Sequence, residues 1–247
     1  MPNWNTVRNV ARLALSRGMM SQLRLAVVSH AKAGEAECPL CGYSGTFYPF
    51  GMPLRTGVMC PQCWSLERHR LFGLALKSGE LDFTDRTIVH FAAEHALRRA
   101  ILEQRPRGYR TSDFASTTAD LQLDLENIAL PDQSEDVIIA SHILEHVDDG
   151  KALREIFRVL KPGGCLVAMI PIIEGWENTY EDPTKTTEAE RERYFGQYDH
   201  VRWFGSDFRE RVRAAGFTLD EITAGPIDAL DYRLDRGEKI FVARKPS

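Results

Sequence analysis

The spacing of hydrophobic positions changes several times along the chain. In the first 33 residues Val7, Val10, Ala11, Leu13 and Leu15, then Met19, Met20, Leu23 and Leu25, recur at loosely helical intervals with arginines between them. This predicts a helical segment over 1–33, either packed on the main body or, being basic and amphipathic, serving as a lid or lying on a lipid surface. Residues 34–65 have no such period and are interrupted by Gly42, Gly45, Gly51, Pro53 and Gly57, a turn-rich stretch too small for a core of its own. A helical pattern returns from Leu66 through Leu71, Leu74 and Ala75 and stops near Gly79.

Beyond that point short apolar runs alternate with amphipathic stretches, the pattern of an α/β domain whose largely parallel sheet is covered on both faces. Thr87–Phe91 reads as the first strand, a helix follows from about Glu94 to Glu103, Tyr109–Ser112 reads as the second strand, and a weak third lies near Leu121–Leu123. Asp136–Ser141 is the clearest buried strand, and the helix after it places Leu153, Ile156, Phe157 and Leu160 on one face. Lys161-Pro162-Gly163-Gly164 is expected to end that helix and turn the chain into a strand over Cys165–Ile170. Residues 171–205 are polar, aromatic and irregular, an insertion on the substrate side. Ser206 is a candidate N-cap, Gly216 a helix stop, and Phe217–Ile222 and Ile240–Ala243 the last two strands. The implied organisation is a helical segment 1–33, a cysteine module 34–68 and a catalytic domain 69–247.

Composition changes this picture little. With 43% hydrophobic and 27% charged residues and a formal net charge of −4, the chain is an ordinary globular one. It lacks the basic excess expected of a nucleic-acid binder, so a small-molecule partner is favoured over RNA or DNA. No apolar run approaches a membrane span, and the arginines at the start break up any signal-peptide core, so the expected location is the cytoplasm.

Four of the five cysteines change the picture more. Cys38-Pro39-Leu40-Cys41 and Cys60-Pro61-Gln62-Cys63 are two CxxC knuckles separated by eighteen residues, the spacing of a four-thiolate zinc ribbon. Four protein ligands leave no position for water, so the expected Zn²⁺ is structural. A ribbon can also grip nucleic acid, but only Arg55, Arg68 and Arg70 supply charge nearby, which favours a scaffold. Cys165 reads as a core residue of its strand.

The run from Leu130 to Val147, with Pro131-Asp132 ahead of the buried strand and His142-Ile143-Leu144-Glu145-His146 behind it, is followed at the right distance by Leu160-Lys161-Pro162-Gly163-Gly164. Together these stretches resemble the class I S-adenosylmethionine-dependent methyltransferases, specifically the methyltransferase type 11 family, over about residues 87–170. The resemblance implies a Rossmann-like doubly wound sheet with S-adenosylmethionine at the carboxyl ends of its strands. The first strand-to-helix turn, His90-Phe91-Ala92-Ala93-Glu94, would then meet the cofactor, although it lacks the glycines that usually line such a turn. Glu94 would receive the cofactor's ammonium group or merely favour the helix dipole. Asp113, nineteen residues beyond Glu94, would accept from the ribose hydroxyls. Asp124 and Leu125 would meet the adenine or close a turn, and Ser141 and His142 would line the cofactor or the reacting methyl.

Methyl transfer needs alignment, exclusion of water and, for a protonated acceptor, a base. His142, His146 and His200 are the candidates, with His200 favoured because Asp199 stands beside it. Tyr180, Tyr198 and Arg202 would contact the acceptor, Arg202 as a clamp for an anionic group. His142-Ile143-Leu144-Glu145-His146 also has the spacing of an inverted zinc-protease motif, read as coincidence because it follows a buried strand and no third ligand suggests itself. The expected activity is methylation of an O or N atom of a small or sugar-like acceptor. The alternatives are a non-catalytic module that binds a nucleoside or a partner, and an RNA methyltransferase.

Overall fold

The computed structural model describes residues 34–51 and 54–247, so the expected N-terminal helix over 1–33 lies outside the described residues. The described residues divide into two compact units, one comprising those up to Arg70 together with Ala224–Arg236, the other Leu71–Thr223 with Gly237–Ser247.

In the first unit two small antiparallel hairpins, β1 (Ala36–Glu37) with β2 (Ser44–Gly45) and β3 (Tyr48–Phe50) with β4 (Arg55–Met59), present the cysteines. Ala36, Cys38, Phe47 and Cys60 form its small core. Helix α1 (Glu67–Ser78) begins here and runs on into the second unit. Its start is capped by His69, whose Nδ1 accepts the Leu66 N–H at 3.0 Å.

Arg70, fully buried, braces this unit. Its guanidinium donates to the carbonyls of Val58 and Ser65, both at 2.8 Å, and to those of Tyr232 and Arg233, and it lies 4.7 Å from the Phe47 ring centroid. A buried cation is tolerated because four of its five N–H groups find carbonyl acceptors. That brace gathers 224–236 to the cysteine module, although the sequence reading assigned it to the catalytic domain. The arginine that the reading counted as surface charge is an internal strut, and Arg55 is likewise paired, with Glu67 at 2.7 Å.

The second unit holds a seven-stranded sheet. In chain order its strands are β5 (Thr87–Phe91), β6 (Gly108–Asp113), β7 (Leu121–Gln122), β8 (Glu135–Ser141) and β9 (Leu160–Met169), then β12 (Thr218–Thr223) and β13 (Lys239–Arg244). The spatial order is β12-β13-β9-β8-β5-β6-β7, and only β13 runs against the others. β5 and β8, at the centre, are covered on both faces, which is why Ile88-Val89-His90-Phe91 and Val137-Ile138-Ile139-Ala140 are buried without alternation. Helices α2 (His95–Glu103) and α3 (Asp149–Val159) cross over between parallel strands. α2 seats Leu97 and Ile101, and α3 seats Ala152, Leu153, Ile156 and Val159. Asp148 caps α3 by accepting the Lys151 N–H at 3.0 Å.

Three local expectations are corrected. The Lys161–Gly164 turn does not separate helix from strand: α3 passes directly into β9 at Leu160, and the pairing jumps from Glu135↔Leu160 to Val137↔Cys165, with Gly163 at φ +74°. The two glycines therefore make a bulge inside the strand. The N-cap of the late helix α5 (Phe208–Ala214) is Asp207, not Ser206. The insertion 171–205 is not irregular: it contains β10 (Tyr180–Glu181) paired with β11 (Arg202–Trp203), and between them α4 (Glu188–Phe195). Helix α4 opens on a Thr187/Glu190 capping box and closes at Gly196, φ +82°. A further short helix, α6 (Pro226–Asp231), starts with proline in its first turn. Among the described residues no helix is long and apolar enough to cross a membrane.

Gly216 ends α5 at φ +103°, and a Cβ there would lie 2.9 Å from the Phe157 ring. Gly216→Ala should therefore lower unfolding stability by about 2–3 kcal/mol in urea titration. A loss under about 0.5 kcal/mol would show that neither the backbone nor the ring constrains this turn.

Candidate active site

The carboxyl ends of β5, β6 and β8 lie side by side. Directly after β5, Ala92 takes a left-handed conformation, φ +44°, and its N–H donates to the Ser112 carbonyl at 2.7 Å. A glycine-like turn is thus made by alanine, the smallest residue that carries a Cβ, at a position where a non-glycine backbone is strained. His142, after β8, is also left-handed, φ +53°, with its N–H on the Met169 carbonyl at 2.8 Å. At the carboxyl ends of β6 and β8 the buried hydroxyls of Ser112 and Ser141 have no hydrogen-bond partner. Buried polar atoms left in this way at strand ends call for a ligand or water.

A cavity of about 330 Å³ opens beside this edge, lined by Ala92, Ala93, Thr111, Ser112, Asp113 and Ser116 among others. Asp113 Oδ1 accepts the N–H groups of Ala115 at 2.8 Å and Ser116 at 2.7 Å, which fixes the carboxylate at the cavity wall. Glu94 is the half-buried N-cap residue of α2, and its side chain does not cap the helix. Other candidates lie elsewhere. The His90 ring is buried in the sheet, its Nδ1 3.0 Å from the Tyr109 hydroxyl, whose pKa burial pushes up to about 12. Phe91 and Leu125 are core residues. Asp124 closes a turn, accepting the Glu126 N–H at 2.8 Å. These four are absent from the cavity lining, and strand polarity alone could not tell which side chains of the tip would face it.

The second cluster joins the turn after β8 to the insertion. Val201 N–H donates to the Glu145 carbonyl at 2.9 Å, bringing His200 to His146 with ring centroids 4.6 Å apart and nearly perpendicular. Asp199 pairs with His146, Oδ2 to Nδ1 3.3 Å, and not with its neighbour His200 as the sequence suggested. His200 is buried, with Nδ1 3.2 Å from the Phe195 carbonyl, and burial holds its pKa below the ordinary histidine value.

Arg202 is also buried. It donates to the carbonyls of Leu144 and Val147 and pairs with Asp149 and Glu181, both at 3.2 Å. Its guanidinium is therefore engaged within the protein, and it ties the insertion to the start of α3 in place of the anion clamp expected of it. Tyr180 packs against the Trp176 and Phe195 rings, and Tyr198 is exposed. A polar cavity of about 480 Å³, lined by His146, Val147, Glu181, Val201, Arg202 and Arg211 among others, opens beside this cluster.

In the first unit the four cysteine sulfurs lie within 4.8 Å of one another, with Cys38–Cys63 and Cys41–Cys60 both 3.6 Å apart, and all four thiols are free. Four sulfurs at about 2.3 Å from one tetrahedral ion would stand about 3.8 Å apart, close to these separations and far from the roughly 2.0 Å of a disulfide. The two knuckles fold alike: Gly42 N–H returns to the Cys38 carbonyl and Trp64 N–H to the Cys60 carbonyl, both at 2.9 Å. Gly42 and Trp64 both have positive φ, +74° and +59°. The hydrogen bond with Cys63 holds the Cys38 thiol below its ordinary pKa.

Residues 88–168 match the family model described as a methyltransferase domain, and this match contains both stretches on which the family resemblance rested. Over 65 residues the chain is 42% identical to a ubiquinone/menaquinone biosynthesis C-methyltransferase of Vibrio parahaemolyticus, covering 25% of each chain. Over 76 residues it is 38% identical to the Vibrio cholerae protein of that name, covering 29% of each. The chain thus spans only a quarter or so of the curated relatives it matches. A solved S-adenosylmethionine-dependent methyltransferase from Mesorhizobium loti superposes on 71% of this chain and 98% of its own with a TM-score of 0.51 at 17% identity, a likeness of fold.

If the Ala92 turn is a strained substitute for glycine, Ala92→Gly should raise stability by about 0.5 kcal/mol, read by thermal or urea unfolding. A loss of stability would mean that the alanine methyl is packed and useful.

Proposed function

We propose that the methyltransferase domain over residues 88–168 catalyses S-adenosylmethionine-dependent methyl transfer to an O or N atom of a small polar acceptor. The observation that carries this reading is the edge formed by the left-handed Ala92, the orphaned Ser112 and Ser141 hydroxyls and the cavity at Asp113. Those features suit a nucleoside with a charged tail: a small residue where backbone must come close, hydroxyls awaiting partners, and a fixed carboxylate.

When bound, S-adenosylmethionine supplies an electrophilic sulfonium methyl. In this reading Asp113 accepts from the ribose hydroxyls, with Ala115 and Ser116 holding it in place, and Glu94 receives the ammonium group. Ser141 and His142 border the reacting centre. The insertion covers the acceptor side, where Tyr180 and Tyr198 offer aromatic and hydroxyl contacts. Because Arg202 is held by Glu181, Asp149 and two carbonyls, recognition of the acceptor falls to the histidine cluster. His146, His200 and Asp199 form the group that activates the acceptor, arranged as His146–Asp199 with His200 alongside. The four cysteines hold a structural Zn²⁺, a reading supported by their tetrahedral-like separations. The burial of Arg70 and the pairing of the exposed Arg55 with Glu67 argue against RNA recognition by the ribbon.

Calorimetric titration with S-adenosylhomocysteine should show saturable binding, and Asp113→Asn should weaken it at least tenfold, since a hydrogen bond to a charged acceptor contributes about 1.5–3 kcal/mol. A wild-type protein that does not bind it would favour a repurposed, non-catalytic module. Stripping metal with a strong chelator should lower the melting temperature. An equally stable apo protein would remove the structural role of the cysteines.

A further inference from the structure

We propose that Glu145, His146 and His200 form a second metal site, for a divalent transition-metal ion, at the carboxyl end of β8. One ligand atom from each residue lies within 4.8 Å of the others, a spread that small side-chain rotations close to the separations a shared ion requires. Glu145 is fully buried, and neither carboxylate oxygen has a hydrogen-bond partner. His142 Nδ1 stands 3.2 Å from Glu145 Oε1, without the alignment of a hydrogen bond. An anion buried without donors is unfavourable unless something positive joins it, and two imidazoles face it from different segments of the chain.

The surroundings of the histidines favour a metal over a simple ion pair. Nδ1 of His146 lies against the Asp199 carboxylate at 3.3 Å, and Nδ1 of His200 against the Phe195 carbonyl at 3.2 Å. At His200 this acceptor holds the proton on Nδ1 and leaves the Nε2 lone pair for a cation, as is usual for metal-binding histidines, while at His146 the carboxylate stands within ion-pair reach of Nδ1 without the alignment of a hydrogen bond. Asp199 and the Phe195 carbonyl are then positioning groups. The sequence shows two of the three ligands in His142-Ile143-Leu144-Glu145-His146, and the third, His200, arrives only because the insertion folds back onto the turn after β8. Two imidazoles and one carboxylate suit Zn²⁺, Co²⁺, Ni²⁺ or Fe²⁺ better than Mg²⁺ or Ca²⁺. Three protein ligands leave positions open, unlike the closed cysteine site, so this ion would bind and polarise an oxygen of the acceptor. That role rests on the methyl-transfer reading; the binding of the ion does not.

The full-length protein, loaded with Co²⁺, freed of excess metal by gel filtration and assayed for metal content without cofactor, provides the test. Wild type should retain one more equivalent per chain than either Glu145→Gln or His200→Ala, whatever the cysteines hold. Asp199→Asn should weaken this extra equivalent about tenfold while leaving the first in place. The same content in wild type and both variants overturns the site, as does a wild type with no metal beyond the cysteine equivalent. Binding of S-adenosylhomocysteine, measured separately on the same samples, reports on the methyl-transfer reading alone. Each idea can therefore fail without the other.

Discussion

The structure depends most on the burial of β5 and β8 at the centre of a parallel sheet. With both faces covered, most of their side chains serve packing, and chemistry is displaced to the residues at and just beyond the carboxyl end of each strand. There the chain must leave the sheet abruptly, and it does so through two left-handed non-glycine residues, Ala92 and His142, each tied by its N–H to a carbonyl of the adjacent strand. The same geometry leaves Ser112 and Ser141 buried with unused hydroxyls. Packing at the centre and unmet polarity at the rim are two results of one constraint.

Much of this was legible in the sequence. Largely apolar runs within 87–91 and 136–141, without regular alternation, identify central strands because strands covered on both faces dispense with it. The CxxC pairs are a local signal that needs no tertiary context. What escaped was of two kinds. The capping box at Thr187 and Glu190 and the proline at the start of α6 were local and available, but a long polar stretch hid them. The pairing of Asp199 with His146, the burial of Arg70 and Arg202, and the approach of His200 to Glu145 depend on residues tens of positions apart. No periodicity encodes them, and adjacency misleads: Asp199 is the neighbour of His200 yet pairs with His146.

The insertion shows why polar composition is a poor guide to disorder. Its charges are spent internally. Arg202 and Arg211 both reach Asp149 and Glu181, so the hairpin β10–β11 is anchored at the beginning of α3 by a network of opposite charges that includes two nearly inaccessible groups, Arg202 and Asp149. Removing Arg202 would leave Asp149 with Arg211 alone, and removing Asp149 would leave Arg202 with Glu181 and two carbonyls. This charge network, with the Val201 N–H on the Glu145 carbonyl, holds His200 in place.

The cysteine unit is made of two stretches of chain, and Arg70 links them by reaching the carbonyls of Tyr232 and Arg233. It follows that this unit is not a detachable cassette. A gene fragment starting after Arg70 would produce a polypeptide in which 224–236, embedded between the last two strands, had lost its guanidinium anchor. Recombination that swapped only the beginning of the gene would create the same orphan. The unit is coherent only with both pieces of chain present.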